Sequence, residues 1–181
     1  MSLHKQPELK EAVLNLPQKE KDKLLVRLVG KDKMLMKQLH FRLLEDQMDL
    51  EDRIERLKQQ LVDLFAEGRH SVENIPVYSN YKALQNLIRQ ASGMVNEHEK
   101  VTKDKYSEVD CRIYILQTAF QRFPRLFEKS AVHSAFKLQD YTRARIKATA
   151  AKFDKLHEDL QFDLQESMEE MTAFAMEHGL L

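Results

Sequence analysis

Residues that break regular structure are scarce in this chain. Four glycines and four prolines serve all 181 residues, whereas a β-rich fold needs a turn residue every few positions. Between the breakers, apolar side chains recur at alternating spacings of four and three, which puts them on one face of an α-helix. Leu50, Ile54, Leu57, Leu61 and Leu64 form one such seam, and Tyr81, Leu84, Ile88, Ala91 and Val95 a second that continues to His98. Val109, Ile113, Leu116, Phe120 and Phe123 form a third. The expectation is an all-α bundle of about seven helices in a single domain spanning 1–181. Short helical hairpins occupy 5–68 and longer antiparallel bundle helices occupy 79–179.

Punctuation sets the boundaries. Pro7 opens a short helix with Leu9, Val13 and Leu16 on one face, and Pro17 starts the next, where its missing N–H costs nothing. Gly30 closes that second helix, and a third is expected from about Asp32 to Leu44. Gly68 ends the fourth, residues 69–78 read as a loop, and Ser79 or Asn80 is the expected cap of the fifth. Pro124 ends the sixth. No breaker then appears before Gly179, and a seam from Ile146 through Phe153, His157, Leu164 and Met171 to His178 would allow one helix over 134–178. At 1.5 Å per residue such a helix would be roughly 67 Å long, against a radius of gyration of about 16 Å for a domain this size. It must either break or project toward a partner.

Charged residues make up 32% of the chain, and the longest apolar runs fall far short of the ~18 residues a spanning helix needs, so no membrane protein is expected. The N-terminus lacks a signal-peptide pattern, which points to the cytosol. Cys111 stands alone among apolar neighbours and reads as an inert thiol. Net charge is zero, but it is segregated: +5 over 5–42, −5 over 43–73, +7 over 112–155 and −7 over 156–181. Arg122, Arg125, Lys129, Arg143, Arg145 and Lys147, with Tyr141 among them, form the best basic patch. There arginines could hold phosphates and the tyrosine could stack a base. The plainer reading is the solvated flank of a helical hairpin, or a face covered by the chain's own acidic end. Within a single 134–178 helix, basic residues would precede acidic ones, against the helix macrodipole. An antiparallel partner would offset this, either the chain's own fourth helix, with Glu51, Asp52 and Glu55, or a second copy. The expectation is the second copy, setting Glu166, Glu169 and Glu170 opposite Arg143, Arg145 and Lys147 in a two-fold homodimer.

Metal and catalytic patterns are thin. Glu67 and His70 make one Glu-x-x-His element, and Asp154 with His157 a shorter analogue, whereas a di-iron bundle needs two such elements and two further glutamates. His98 and His157 both fall on seams, where a buried histidine ordinarily bonds a carbonyl or hydroxyl. Asp154, His157 and His98 are therefore the metal candidates, with no metal or cofactor assigned. No Gly-x-Ser-x-Gly elbow and no glycine-rich phosphate loop occurs. Met168, Met171 and Met176 beside Phe174 could fill the core or form an adaptable binding surface. The leading expectation is a non-enzymatic scaffold or protein-interaction protein. A nucleic-acid-associated protein and a metal-dependent bundle enzyme are the alternatives.

The first 45 residues, about a quarter of the chain, also carry a resemblance. Glu8-Leu9-Lys10, Leu16, Leu24-Leu25, and Leu39 followed by Phe41-Arg42-Leu43 are similar to the start of an uncharacterised family of small bacterial all-helical proteins. A Leu-x-Phe-Arg-Leu element closes a run of short helices in that family. The resemblance implies a bacterial cytosolic protein and nothing catalytic.

Overall fold

Eight α-helices, two single 3₁₀ turns and no strands make up the described residues of the computed structural model, which are 3–66 and 72–181. The chain is thus an all-α multi-helix protein. It forms two compact units, Met1–Glu45 and Asp46–Leu181, so the division falls before the fourth helix rather than after it. The Glu67–His70 element, Gly68 and Ser71 lie outside the described residues. No helix among those described is long and apolar enough to cross a membrane.

The first unit holds α1 (Pro7–Leu14), α2 (Gln18–Val29) and α3 (Lys33–Leu44). Asp32 caps α3, its carboxylate accepting from the Met34 and Leu35 amides at 2.9 and 3.0 Å. Such a cap is worth about 1 kcal/mol. Gly30 follows α2 as expected, with an ordinary right-handed φ of −65°. The inward seams Val13, Leu16, Leu24, Val29, Leu35 and Leu39 reach only half-burial. No residue of the three helices is buried, and Leu43 and Leu44 are 70% and 73% exposed.

The second unit is a five-helix bundle of α4 (Gln47–Ala66), α5 (Tyr78–Thr102), α6 (Lys105–Arg122), α7 (His133–Phe153) and α8 (Glu158–Glu177). The α5–α6 hairpin is its centre. α4 and α7 each pack against both of its helices, and α8 packs on α6 and α7. Every residue of the α5 seam from Tyr81 to Val95 and of the α6 seam from Val109 to Phe123 is buried. Leu57, Leu61 and Phe65 complete the α4 side. The α5–α6 joint is two residues long and contains no glycine. Lys103 takes the left-handed conformation at φ 60°, and Asp104 caps α6 by accepting from the Ser107 amide at 2.8 Å. The α5 N-terminus differs from expectation. Val77 holds the cap position, and Asn80 instead donates back to the Ile75 carbonyl at 3.0 Å, clasping the preceding turn.

The stretch 134–178 is not one helix, and this accounts for the eighth. It breaks at 154–157 although no Gly or Pro is present. Gln161, one turn into α8, donates to the Phe153 and Leu156 carbonyls at 3.2 and 3.0 Å. The Phe153 carbonyl also accepts from the Leu156 amide at 2.9 Å, so the glutamine reinforces a turn that the backbone itself closes. Buried Leu156 pins the turn, and His157 becomes the exposed cap of α8. With the break in place, Lys152 lies in the last turn of α7 and Glu158 and Asp159 in the first turn of α8. Both arrangements suit the macrodipole. The conflict that motivated an antiparallel partner for a single long helix is removed.

Candidate functional site

An ionic cluster lies between α5, α6 and α7. Glu108 and Arg112 are one turn apart on α6, an ordinary i, i+4 pair on a surface helix, yet both are buried. Glu108 Oε1 accepts from Arg112 Nε and Nη2 at 3.2 and 2.9 Å and pairs with Lys152 Nζ at 2.7 Å. Lys105 Nζ stands 3.6 Å from Oε2. Arg112 Nη2 also donates to Asn96 on α5 at 2.6 Å. Burial pushes the Glu108 carboxyl up, but hydrogen bonds from Lys152 and Arg112 outweigh it and hold the group below the usual glutamate range. The carboxylate thereby ties α6 to α7, and Arg112 extends the tie to α5 through Asn96. A second tie, Lys58 to Asp110 at 2.7 Å, holds α4 to α6.

The histidine candidates serve separate joints. His98 Nε2 shares a 2.9 Å hydrogen bond with Ser107 Oγ across the α5–α6 joint. His157 faces its own neighbour Asp159, with Nδ1 3.2 Å from the carboxylate. Asp154 is the C-cap of α7. Among the described residues, no group of three or more His, Cys, Asp or Glu is placed to hold a metal ion. Burial lowers the His98 pKa, with Asp104 opposing and Arg53 reinforcing the shift. A depressed folded-state value means that the neutral imidazole stabilises the fold. That stability is fully present above about pH 6.5 and is lost as pH falls through the folded-state value. We therefore expect urea midpoints of the native chain to drop between pH 7.5 and pH 5 more steeply than those of a His98→Asn variant. Parallel profiles would remove His98 from this role.

The basic patch is largely engaged within the chain. Arg122 donates to the Phe65 carbonyl at the end of α4. Arg143 pairs with Asp140 at 2.7 Å and donates to the Gly179 carbonyl at 3.2 Å. Tyr141 has the guanidiniums of Arg89 and Arg145 over its ring, 5.4 and 5.2 Å from the centroid. A nucleic-acid base would have to displace one of them to stack there. Arg125, Lys129 and Lys147 remain exposed.

The remaining candidates converge on α8. Its inner stripe, Leu164, Met171 and Ala175, is buried. Phe174 stacks on Phe120 at 4.2 Å and on His178 at 3.9 Å, fastening the C-terminal half. About a quarter turn round the helix, Gln165, Met168, Glu169, Thr172, Ala173 and Met176 line a groove of about 390 Å³ together with Phe153 and Asp154. The methionines thus divide: Met171 fills the core, while Met168 and Met176 line the groove. The three glutamates divide as well. Glu169 lines the groove and binds Gln165, Glu170 accepts from Gln117 of α6 at 2.9 Å, and Glu166 is exposed. Phe162, 83% exposed, shares the outer side of α8 with Glu169, Ala173 and Met176 at i+7, i+11 and i+14. Sequence spacing could not find the groove, because Phe153 and Asp154 reach it only through the 154–157 turn.

Comparison with protein-family models, curated proteins and solved structures finds no match to this chain.

Proposed function

We propose that this chain is a non-enzymatic helical scaffold that works by binding other polypeptides through its helix faces. The observation that carries the reading is the groove on α8. It combines an adaptable methionine lining with exposed Phe162 beside it, on a segment (156–181) with seven acidic residues and no basic ones. Groove volumes of a few hundred Å³ suit insertion of side chains, and unbranched methionines repack around whatever enters. The packed five-helix body carries the groove, while carboxylates beside it select a cationic partner. On this reading the protein acts in the cytoplasm, with a second copy or another protein as partner.

The test is site-specific photo-crosslinking in producing cells. With benzoylphenylalanine at Ala173, a discrete protein adduct is expected. The same probe at Lys147, exposed on the outer side of α7, should give none. Absence of an adduct at position 173, or equal labelling from both positions, would overturn the reading.

A further inference from the structure

We propose that the α8 groove takes the basic third helix of a second copy of this chain. The inference rests on the interaction reading above and names its partner. The charges of the two surfaces are complementary. Residues 5–42 carry ten basic and five acidic side chains, and α3 (Lys33–Leu44) has Lys33, Lys37 and Arg42 with no acidic residue. The receiving segment 156–181 has seven acidic side chains and no Lys or Arg, and its Glu169, with Asp154 from the preceding turn, lines the groove.

The apolar surfaces match too. Met36 and Leu43 lie two turns apart on one face of α3 and are exposed, as is Leu44 beside them. The groove runs along three turns of α8 between Gln165 and Met176, long enough to take side chains spaced two turns apart on a docking helix. The first unit also needs a cover. A helical unit of about 40 residues is near the lower limit for independent folding even with a core, and none of its three helices buries a residue. Docking α3 would remove exposed leucine and methionine from water on both partners at once. Each copy then supplies one basic helix and one acidic groove, so two copies can satisfy each other reciprocally.

The experiment uses the purified 1–181 chain with benzoylphenylalanine at Ala173, as an equal mixture of ¹⁵N-labelled and unlabelled protein. After irradiation, peptides joining position 173 to residues 33–44 and carrying one label of each kind are expected. In sedimentation at about 50 mM salt, Lys37→Glu and Glu169→Lys should each weaken self-association about tenfold or more. The double variant K37E/E169K should restore it. Both sites are exposed, and circular dichroism of each variant checks that the helices are retained. A chain that sediments as a monomer at about 100 µM, crosslinks to another segment, or charge reversals without effect would each overturn the proposal. If the cellular adduct at position 173 is a different protein, this inference falls while the interaction reading stands. If no adduct forms at all, both fall.

Discussion

Glu108→Ala is expected to destabilise the second unit by about 3–5 kcal/mol, the usual cost of stranding the partner of a buried ion pair. Among the described residues, the substitution removes the only carboxylate bonded to buried Arg112, leaving it the Asn96 amide oxygen and the nearby ammonium of Lys152. Two cations then face each other with no anion between them. Glu108→Gln, which keeps the shape and one acceptor, should lose less. The acid limb should change as well. Glutamate held below its usual range stabilises the fold above about pH 4.3, and the contribution disappears as pH falls through the folded-state value. Urea unfolding at pH 7 and pH 4 measures both effects, provided the denaturant slope is unchanged. A loss at pH 7 below about 1 kcal/mol would mean that the cluster behaves like an exposed pair.

Phe120→Ala is expected to cost a similar amount, about 3–5 kcal/mol, by a different mechanism. Phe120 is buried on α6, stacked on Phe174 at 4.2 Å and edge-on to Phe127 at 5.0 Å. Truncation leaves a cavity and also removes the ring that seats Phe174, which in turn stacks on His178. The damage should therefore concentrate in α8. Amide exchange in Glu158–Glu177 should accelerate well beyond that in α4, whose core residues Leu57 and Leu61 lie on a different helix of the bundle. Uniform acceleration across the unit would contradict this local account. Phe120→Leu, keeping most of the volume, should cost appreciably less.

The bundle's central hairpin was legible because its signal is local. Four-three spacing from Tyr81 to Val95 and from Val109 to Phe123 is a property of a few consecutive turns, and all ten positions are buried. The break after Phe153 was not legible, because it is made by a side chain rather than a breaker. Gln161 donates to the Phe153 and Leu156 carbonyls at the turn, and nothing in the local sequence distinguishes it from a solvated glutamine. Long-range pairing hid the ionic cluster in the same way. Glu108 and Arg112 are neighbours on one helix, but Lys152 joins them only once α7 has folded back. The methionine cluster was visible as a choice between core and surface, and the helical period splits it between the two. Met171 aligns with Leu164 and Ala175, whereas Met168 and Met176 fall on the groove stripe.

Cys111 gives the bundle an internal clock. Its thiol is buried on α6 among the core residues, and burial pushes its pKa up to about 12. A thiol reagent at neutral pH meets almost no thiolate and no exposed sulfur in the folded chain. Modification must wait for α6 to part from its neighbours. Where reagent captures the sulfur faster than the bundle recloses, the labelling rate equals the opening rate. At lower reagent concentration it reports the equilibrium population of the open form. One native atom thus converts the opening of the central hairpin into a measurable chemical rate, with no engineered probe.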